Sequence, residues 1–127
     1  MKKLFIILSF ACCLMAAQAQ NANLKKSVED GIKTSIQQTE NREWKEAFAT
    51  CRALDGMIAV EEQKTKKAAP ELHYLVSKER LRMYMRLNNA EQSKLQVEKL
   101  EDYAARAKKN EVSEDLLMTK AGYYQKF

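Results

Sequence analysis

The stretch NREWKEAFATCRALDGMI, residues 41–58, places Trp44, Ala47, Phe48, Cys51, Leu54 and Ile58 at steps of three and four. Side chains at such steps share one face of an α-helix. The small Ala47 between Trp44 and Phe48 lets a neighbouring helix come close to the backbone while two aromatics flank it. Arg42, Glu43, Lys45, Glu46 and Arg52 fall on the other side, which reads as solvent. Nothing in the stretch is set up to react, so it predicts a packing element rather than a catalytic one.

The composition agrees with a helical reading. Of 127 residues, 46% are apolar and 31% charged, with three Gly and one Pro. So few turn residues argue against many short strands, and the length allows one small domain. The fold class predicted is all-α.

Residues 1–19 read as an export signal. Lys2 and Lys3 form a charged start, Leu4 to Met15 an apolar run, and Ala17-Gln18-Ala19 supplies small residues for a signal peptidase. At about a dozen residues the run is short for a bilayer span. Acylation of Cys12 or Cys13, as in a lipoprotein, is the competing reading, disfavoured because Ser9-Phe10-Ala11 lacks the Leu that normally opens a lipobox. Cleavage after Ala19 leaves a helical domain of residues 20–127, periplasmic or secreted, with no transmembrane span.

Cleavage also leaves one thiol, Cys51, so an intrachain disulfide is excluded although the compartment would allow one. Its place on the apolar face makes Cys51 a small core residue rather than a reactive or intermolecular thiol. Loss of Lys2 and Lys3 leaves 20 Lys+Arg against 17 Asp+Glu, a net charge of +3. That is too mild to imply nucleic acid as a partner.

Working outward from 41–58, an earlier helix carries Leu24, Val28, Ile32 and Ile36 as a narrow apolar stripe, weakened by Gly31, Thr34 and Thr39. The organising helix runs to about Glu62, with Gly56 as an interruption, and Lys64, Lys66 and Lys67 read as a solvated end. Pro70 suits the first turn of a third helix. From Glu71 to Leu87 the apolar residues make two faces: Leu72, Leu75, Val76, Met83 and Leu87 on one, Tyr74, Leu81 and Met85 off it. Such a helix is covered from two sides. Lys78, Arg82 and Arg86 form a basic stripe offset by Glu79, with Tyr84 close by.

Asn88-Asn89 is the clearest turn, since Asn tolerates left-handed backbone geometry. A fourth helix from Ala90 to Lys109 presents Ser93, Val97, Leu100, Ala104 and Ala107 as a seam, and Asn110 ends it. Ser113, followed by Glu114 and Asp115, opens a fifth helix with the acidic first turn that the helix dipole favours. Leu117, Ala121 and Tyr124 form one of its faces, and Leu116, Tyr123 and Phe127 another.

Five helices with short turns call for a search for repetition. Arg82-Met-Tyr84-Met-Arg-Leu87 and Ala121-Gly122-Tyr123-Tyr124-Gln-Lys-Phe127 match, with Tyr84 and Tyr124 40 residues apart. Asn41 to Ala47 has an aromatic followed three residues on by Ala, and Ala90 to Ser93 is a weaker version with Ser93 in place of the Ala. On these residues the chain resembles a divergent array of tetratricopeptide-type hairpins. The resemblance implies antiparallel helical hairpins stacked as a short right-handed superhelix over residues 24–127. Spacings of 40 residues, and 46 between Ala47 and Ser93, depart from that family's usual value of about 34. A generic antiparallel bundle stays open beside it. The Ala17-Gln18-Ala19-Gln20 ending resembles export signals of Bacteroidetes.

The chemistry that could make an enzyme is missing from this pattern. His73, the only histidine, has no ligand spacing with Cys51 and reads as a helix-surface or partly buried residue. There is no Gly-rich phosphate loop or nucleophile elbow, and Glu61-Glu62 and Glu114-Asp115 point to different sides of their helices. No cofactor or metal is implied. The reading is an exported adaptor or scaffold module that binds a protein partner through the concave face of the array, with Tyr74, Lys78, Arg82 and Tyr84 lining it. The alternatives are an N-terminal helical portion of a larger sensor or signalling protein, and a small ligand-binding bundle. The aromatic last helix predicts either continuation of the array or a homodimer with Tyr123, Tyr124 and Phe127 in the interface.

Overall fold

A computed structural model describes residues 23–127. The export signal read at 1–19, with Cys12 and Cys13, lies outside the described residues. The described chain forms five α-helices and no strand: α1 (23–40), α2 (Trp44–Thr65), α3 (Pro70–Arg86), α4 (Ala90–Ala107) and α5 (Asn110–Lys126). Turns of two to four residues join them, so consecutive helices run antiparallel. The all-α expectation with about five helices holds.

The two faces read on the third helix divide the core. Val76 and Met83 of α3 pack with Val28 of α1 and Ala47, Cys51, Leu54 and Ile58 of α2. Tyr74 and Leu81 of the same helix pack with Val97, Leu100 and Ala104 of α4 and Val112 of α5. Thus α3 is the central helix, in contact with α2, α4 and α5. Burying a large aliphatic side chain is worth about 1.5–3 kcal/mol, whereas an exposed ion pair contributes about 1 kcal/mol at most. Ile58, Leu81 and Leu100, all within 1% of full burial, therefore hold the helices together more than the surface charges do.

The hairpin α1–α2 recurs as α3–α4, displaced by 46 residues. Arg42 and Asn88 both close their helix in the left-handed region, at φ 60° and 57°. In each turn the next amide reaches back five residues, Glu43 N–H to the Gln38 carbonyl at 2.8 Å and Asn89 N–H to the Tyr84 carbonyl at 2.9 Å. That is the Schellman arrangement, which satisfies carbonyls left open at a helix end. The following seams correspond as well: Ala47, Cys51, Leu54 and Ile58 of α2 match Ser93, Val97, Leu100 and Ala104 of α4, and all eight are buried. The Asn89 side chain also caps α4 by accepting from Gln92 N–H at 3.0 Å.

Gly31 has a specific reason to be glycine. A Cβ placed on it would lie 2.6 Å and 2.9 Å from the two methyl carbons of Leu54, so any larger residue would force that buried side chain to shift. Gly56 interrupts nothing: α2 runs through it to Thr65, and no atom lies within 4 Å of where its Cβ would be.

The stripe on α1 turns out differently from its reading. Val28 is buried, but Ile32 and Ile36 are only half-buried, while Ser35 and Thr39 are within 1% of full burial. Four-residue steps overshoot the 3.6-residue turn by 40° each, so a stripe at 24, 28, 32 and 36 winds off the contact line. The buried hydroxyls have partners: Ser35 Oγ sits 3.7 Å from Met83 Sδ, and Thr39 Oγ1 donates to the Ile36 carbonyl at 2.7 Å.

Two boundaries and one core residue also differ. Lys108, in the left-handed region, ends α4, and α5 starts at Asn110 rather than Ser113. Val112 explains the earlier start, since its burial against α3 and α4 rewards helix before Ser113. Leu87, read as part of a core face, belongs to the turn after α3 and is 43% exposed.

Candidate interaction groove

The three odd-numbered helices each place a residue pair one turn apart on a common surface: Ile32 and Ile36 of α1, Lys78 and Arg82 of α3, Met118 and Gly122 of α5. The pairs are spaced by 46 and then 40 residues, the spacings already visible between Ala47 and Ser93 and between Tyr84 and Tyr124. With Leu75, Leu81 and Met85 they line an open groove of about 470 Å³. Its wall is mostly aliphatic and thioether, which suits apolar side chains of varied shape.

Both cations on this wall are already paired within the chain. Lys78 Nζ donates to Asp115 Oδ1 at 2.7 Å, tying α3 to α5. Asp115 Oδ2 accepts from Tyr74 Oη at 2.6 Å and from Thr119 Oγ1 at 3.4 Å. Burial alone would raise the Asp115 pKa, but the hydrogen bonds from Lys78 and Tyr74 outweigh it and hold the carboxyl below its ordinary value. Burial, and after it the same contact with Asp115, push the Tyr74 phenol upward. Arg82 clasps the Glu79 carboxylate through Nε and Nη2 and donates from Nη2 to Thr39 Oγ1 at 2.9 Å. The Glu79 side chain is 2% exposed, so Arg82 is what allows that charge to be buried.

Each predicted lining residue has a definite place. Lys78 and Arg82 stand on the groove wall. Tyr74 is 2% exposed and lies in the second core cluster, bonded to Asp115. Tyr84 faces α2, its ring 4.9 Å from that of Phe48. In α5, Tyr123 packs against the second core cluster, while Tyr124 and Phe127 are 64% and 46% exposed. The residues that reading for function missed are Ile32, Ile36, Leu75, Met85 and Met118. Their signal was available in the phase of Ile32 and Ile36, which repeats that of Lys78 and Arg82 after 46 residues.

Outside the groove, His73 Nε2 and Glu62 Oε1 are 2.8 Å apart, and the His73 ring stacks on Tyr103 at 5.2 Å. Glu62 also accepts from Ala69 N–H at 2.8 Å. Its burial works to raise the pKa, and the Ala69 and His73 hydrogen bonds bring it below the ordinary value. This group joins the end of α2 to α3 and α4. Cys51 is fully buried, and loss of solvation pushes its thiol up to about 11, which keeps it protonated and inert. Among the described residues no cluster of His, Cys, Asp and Glu could hold a metal ion, and no helix is long and apolar enough to cross a membrane.

No family model matches the chain, and no curated protein or solved structure matches it.

Proposed function

We propose that the protein is an exported helical-repeat interaction module of tetratricopeptide-like design, which holds an apolar segment of a partner protein in the groove between α1, α3 and α5. The observation that carries this reading is the regular placement of one residue pair per odd-numbered helix on a single open apolar surface. Repeat arrays use such alternate helices to build a continuous contact face. Because Lys78 and Arg82 are neutralised by Asp115 and Glu79, the groove selects for apolar side chains more than for charge. The charged segment at residues 1–3, the apolar run after it and Ala17-Gln18-Ala19 support export.

The test is selection of binders from a displayed random-peptide library, repeated on Met118→Glu and Ile36→Glu. Enriched peptides should share spaced apolar residues and lose affinity at least tenfold for both variants, with the helical signal unchanged. Peptides that bind the variants as well as the parent would sink the reading. N-terminal sequencing of the protein recovered after export should begin at Gln20.

A second reading has one observation in its favour. A volume of about 470 Å³ lies within the range of small-molecule sites. An apolar ligand held there should raise the melting temperature in proportion to the logarithm of its concentration, and Ile36→Glu should abolish that rise.

A further inference from the structure

We propose that the end of the bundle formed by the turns after α2 and α4 is a docking surface for the anionic headgroups of a lipid bilayer. None of the residues lining the groove belongs to this end, and the inference stands whether or not the groove binds a partner.

Because consecutive helices run antiparallel, the starts of α1, α3 and α5 and the ends of α2 and α4 gather at one end of the molecule. Contacts join the three segments there. Leu24 of α1 lines one cleft with Lys67, Ala69 and Leu72, and Lys109 Nζ donates to Glu71 Oε2 at 2.6 Å. Over residues 23–28, 61–71 and 107–112 this end carries seven lysines and four carboxylates. Six of the lysines, Lys25, Lys26, Lys64, Lys66, Lys67 and Lys108, are exposed and form no ion pair among the described residues. Two of the carboxylates are already engaged, Glu71 by Lys109 and Glu62 by the Ala69 amide and the His73 ring. At the other end, residues 37–46, 86–92 and 123–127 carry four cations and four carboxylates, which balance. The excess of three at the basic end therefore equals the whole net charge of residues 20–127.

The place where the chain enters selects a bilayer over a soluble polyanion. The apolar run read as part of the export signal ends at Met15, and residues 16–22 reach at most about 25 Å before α1 is described from Asn23. The far end of α1, at residue 40, stands about 27 Å beyond that. A membrane that holds the apolar run therefore meets the basic end of the bundle first. Once the signal is cleaved, the same lysines give a reversible contact, since a cluster of this size is what anionic headgroups attract within a Debye length. Docked in this way, the helices stand on the bilayer and the groove stays open at the side.

The test is cosedimentation of the chain as exported with vesicles of phosphatidylcholine alone or with about 30% phosphatidylglycerol, in dilute buffer and in about 0.5 M salt. Binding to the anionic vesicles in dilute buffer is expected, at least tenfold weaker on neutral vesicles and in high salt. Lys64→Gln/Lys66→Gln/Lys67→Gln should weaken it at least tenfold, with the helical signal unchanged. Lys45→Gln/Lys94→Gln/Lys126→Gln removes the same charge at the other end and should bind within twofold of the parent. A parent chain that ignores anionic vesicles, equal binding to neutral ones, or equal losses in the two variants overturns the proposal. Retention on heparin or DNA without vesicle binding would also overturn it, by assigning the lysines to a soluble polyanion.

Discussion

Tyr74 Oη and Asp115 Oδ2 stand 2.6 Å apart although 41 residues separate them in the chain, and their hydrogen bond fastens α5 to the central helix. Tyr74→Phe keeps the ring in the core and removes only this bond. The loss should be about 1 kcal/mol, below the usual range for a bond to a charged group because Asp115 stays partly open to solvent and keeps its bond from Lys78. That corresponds to a fall of about 5 °C in melting temperature for a domain of this size. Hydrogen exchange should show the loss concentrated in the amides of α5.

Acid should loosen the same helix. The Asp115 pKa is depressed in the folded state, and so is that of Glu62. Their contribution is therefore present above the unfolded values near pH 4 and disappears as the pH falls through the lower folded values. Asp115→Asn should be less stable than the parent at neutral pH and show a flatter melting profile below about pH 4.

The helical glycines should respond in opposite senses. Gly31→Ala drives a methyl into Leu54 and should destabilise by about 1–3 kcal/mol. Gly56→Ala meets nothing and should stabilise by about 0.5–1 kcal/mol through helix propensity. Denaturant melts of the two variants check both signs.

Lys66 and Lys108 occupy the left-handed region at φ 58° and 54° in the turns after α2 and α4. Glycine adopts that conformation without the Cβ clash. Lys66→Gly and Lys108→Gly should each raise stability by about 0.5–1 kcal/mol, read as an upward shift in melting temperature.

Removing Arg82 should be far more damaging than its place on a groove wall suggests. Arg82→Ala leaves the buried Glu79 carboxylate unpaired, a loss of about 2–4 kcal/mol. Glu79→Met/Arg82→Met removes both charges and should recover most of that stability in the same melts. Lys78→Ala, by contrast, unpairs only the partly exposed Asp115 and should have an effect within about 1 kcal/mol.

Much of this architecture was legible in the residues themselves. The steps of three and four at Ala47, Cys51, Leu54 and Ile58, and at Ser93, Val97, Leu100 and Ala104, mark helix faces because helical geometry is local and periodic. The two apolar faces of α3 revealed a helix buried from two sides. Asn88-Asn89 announced a turn because Asn accepts a positive φ, whereas nothing local distinguished Arg42, Lys66 or Lys108 as left-handed caps. Periodicity alone also picked out Ile32 and Ile36, which are half-buried, and passed over Ser35 and Thr39, which are almost wholly buried.

What the sequence by itself determined is the set of helices and the two-sided burial of the third one, products of short-range periodicity and backbone preference. Only the tertiary structure decided which faces meet. It made Gly31 a point of close approach to Leu54, turned Tyr74 and Lys78 into tethers for Asp115, and used Arg82 to bury Glu79. It also gathered Ile32, Leu75 and Met118 from three helices onto one surface. Apart from the Glu79–Arg82 pair, three residues apart on α3, those assignments depend on distances between residues 23 to 86 positions apart, which no local pattern encodes.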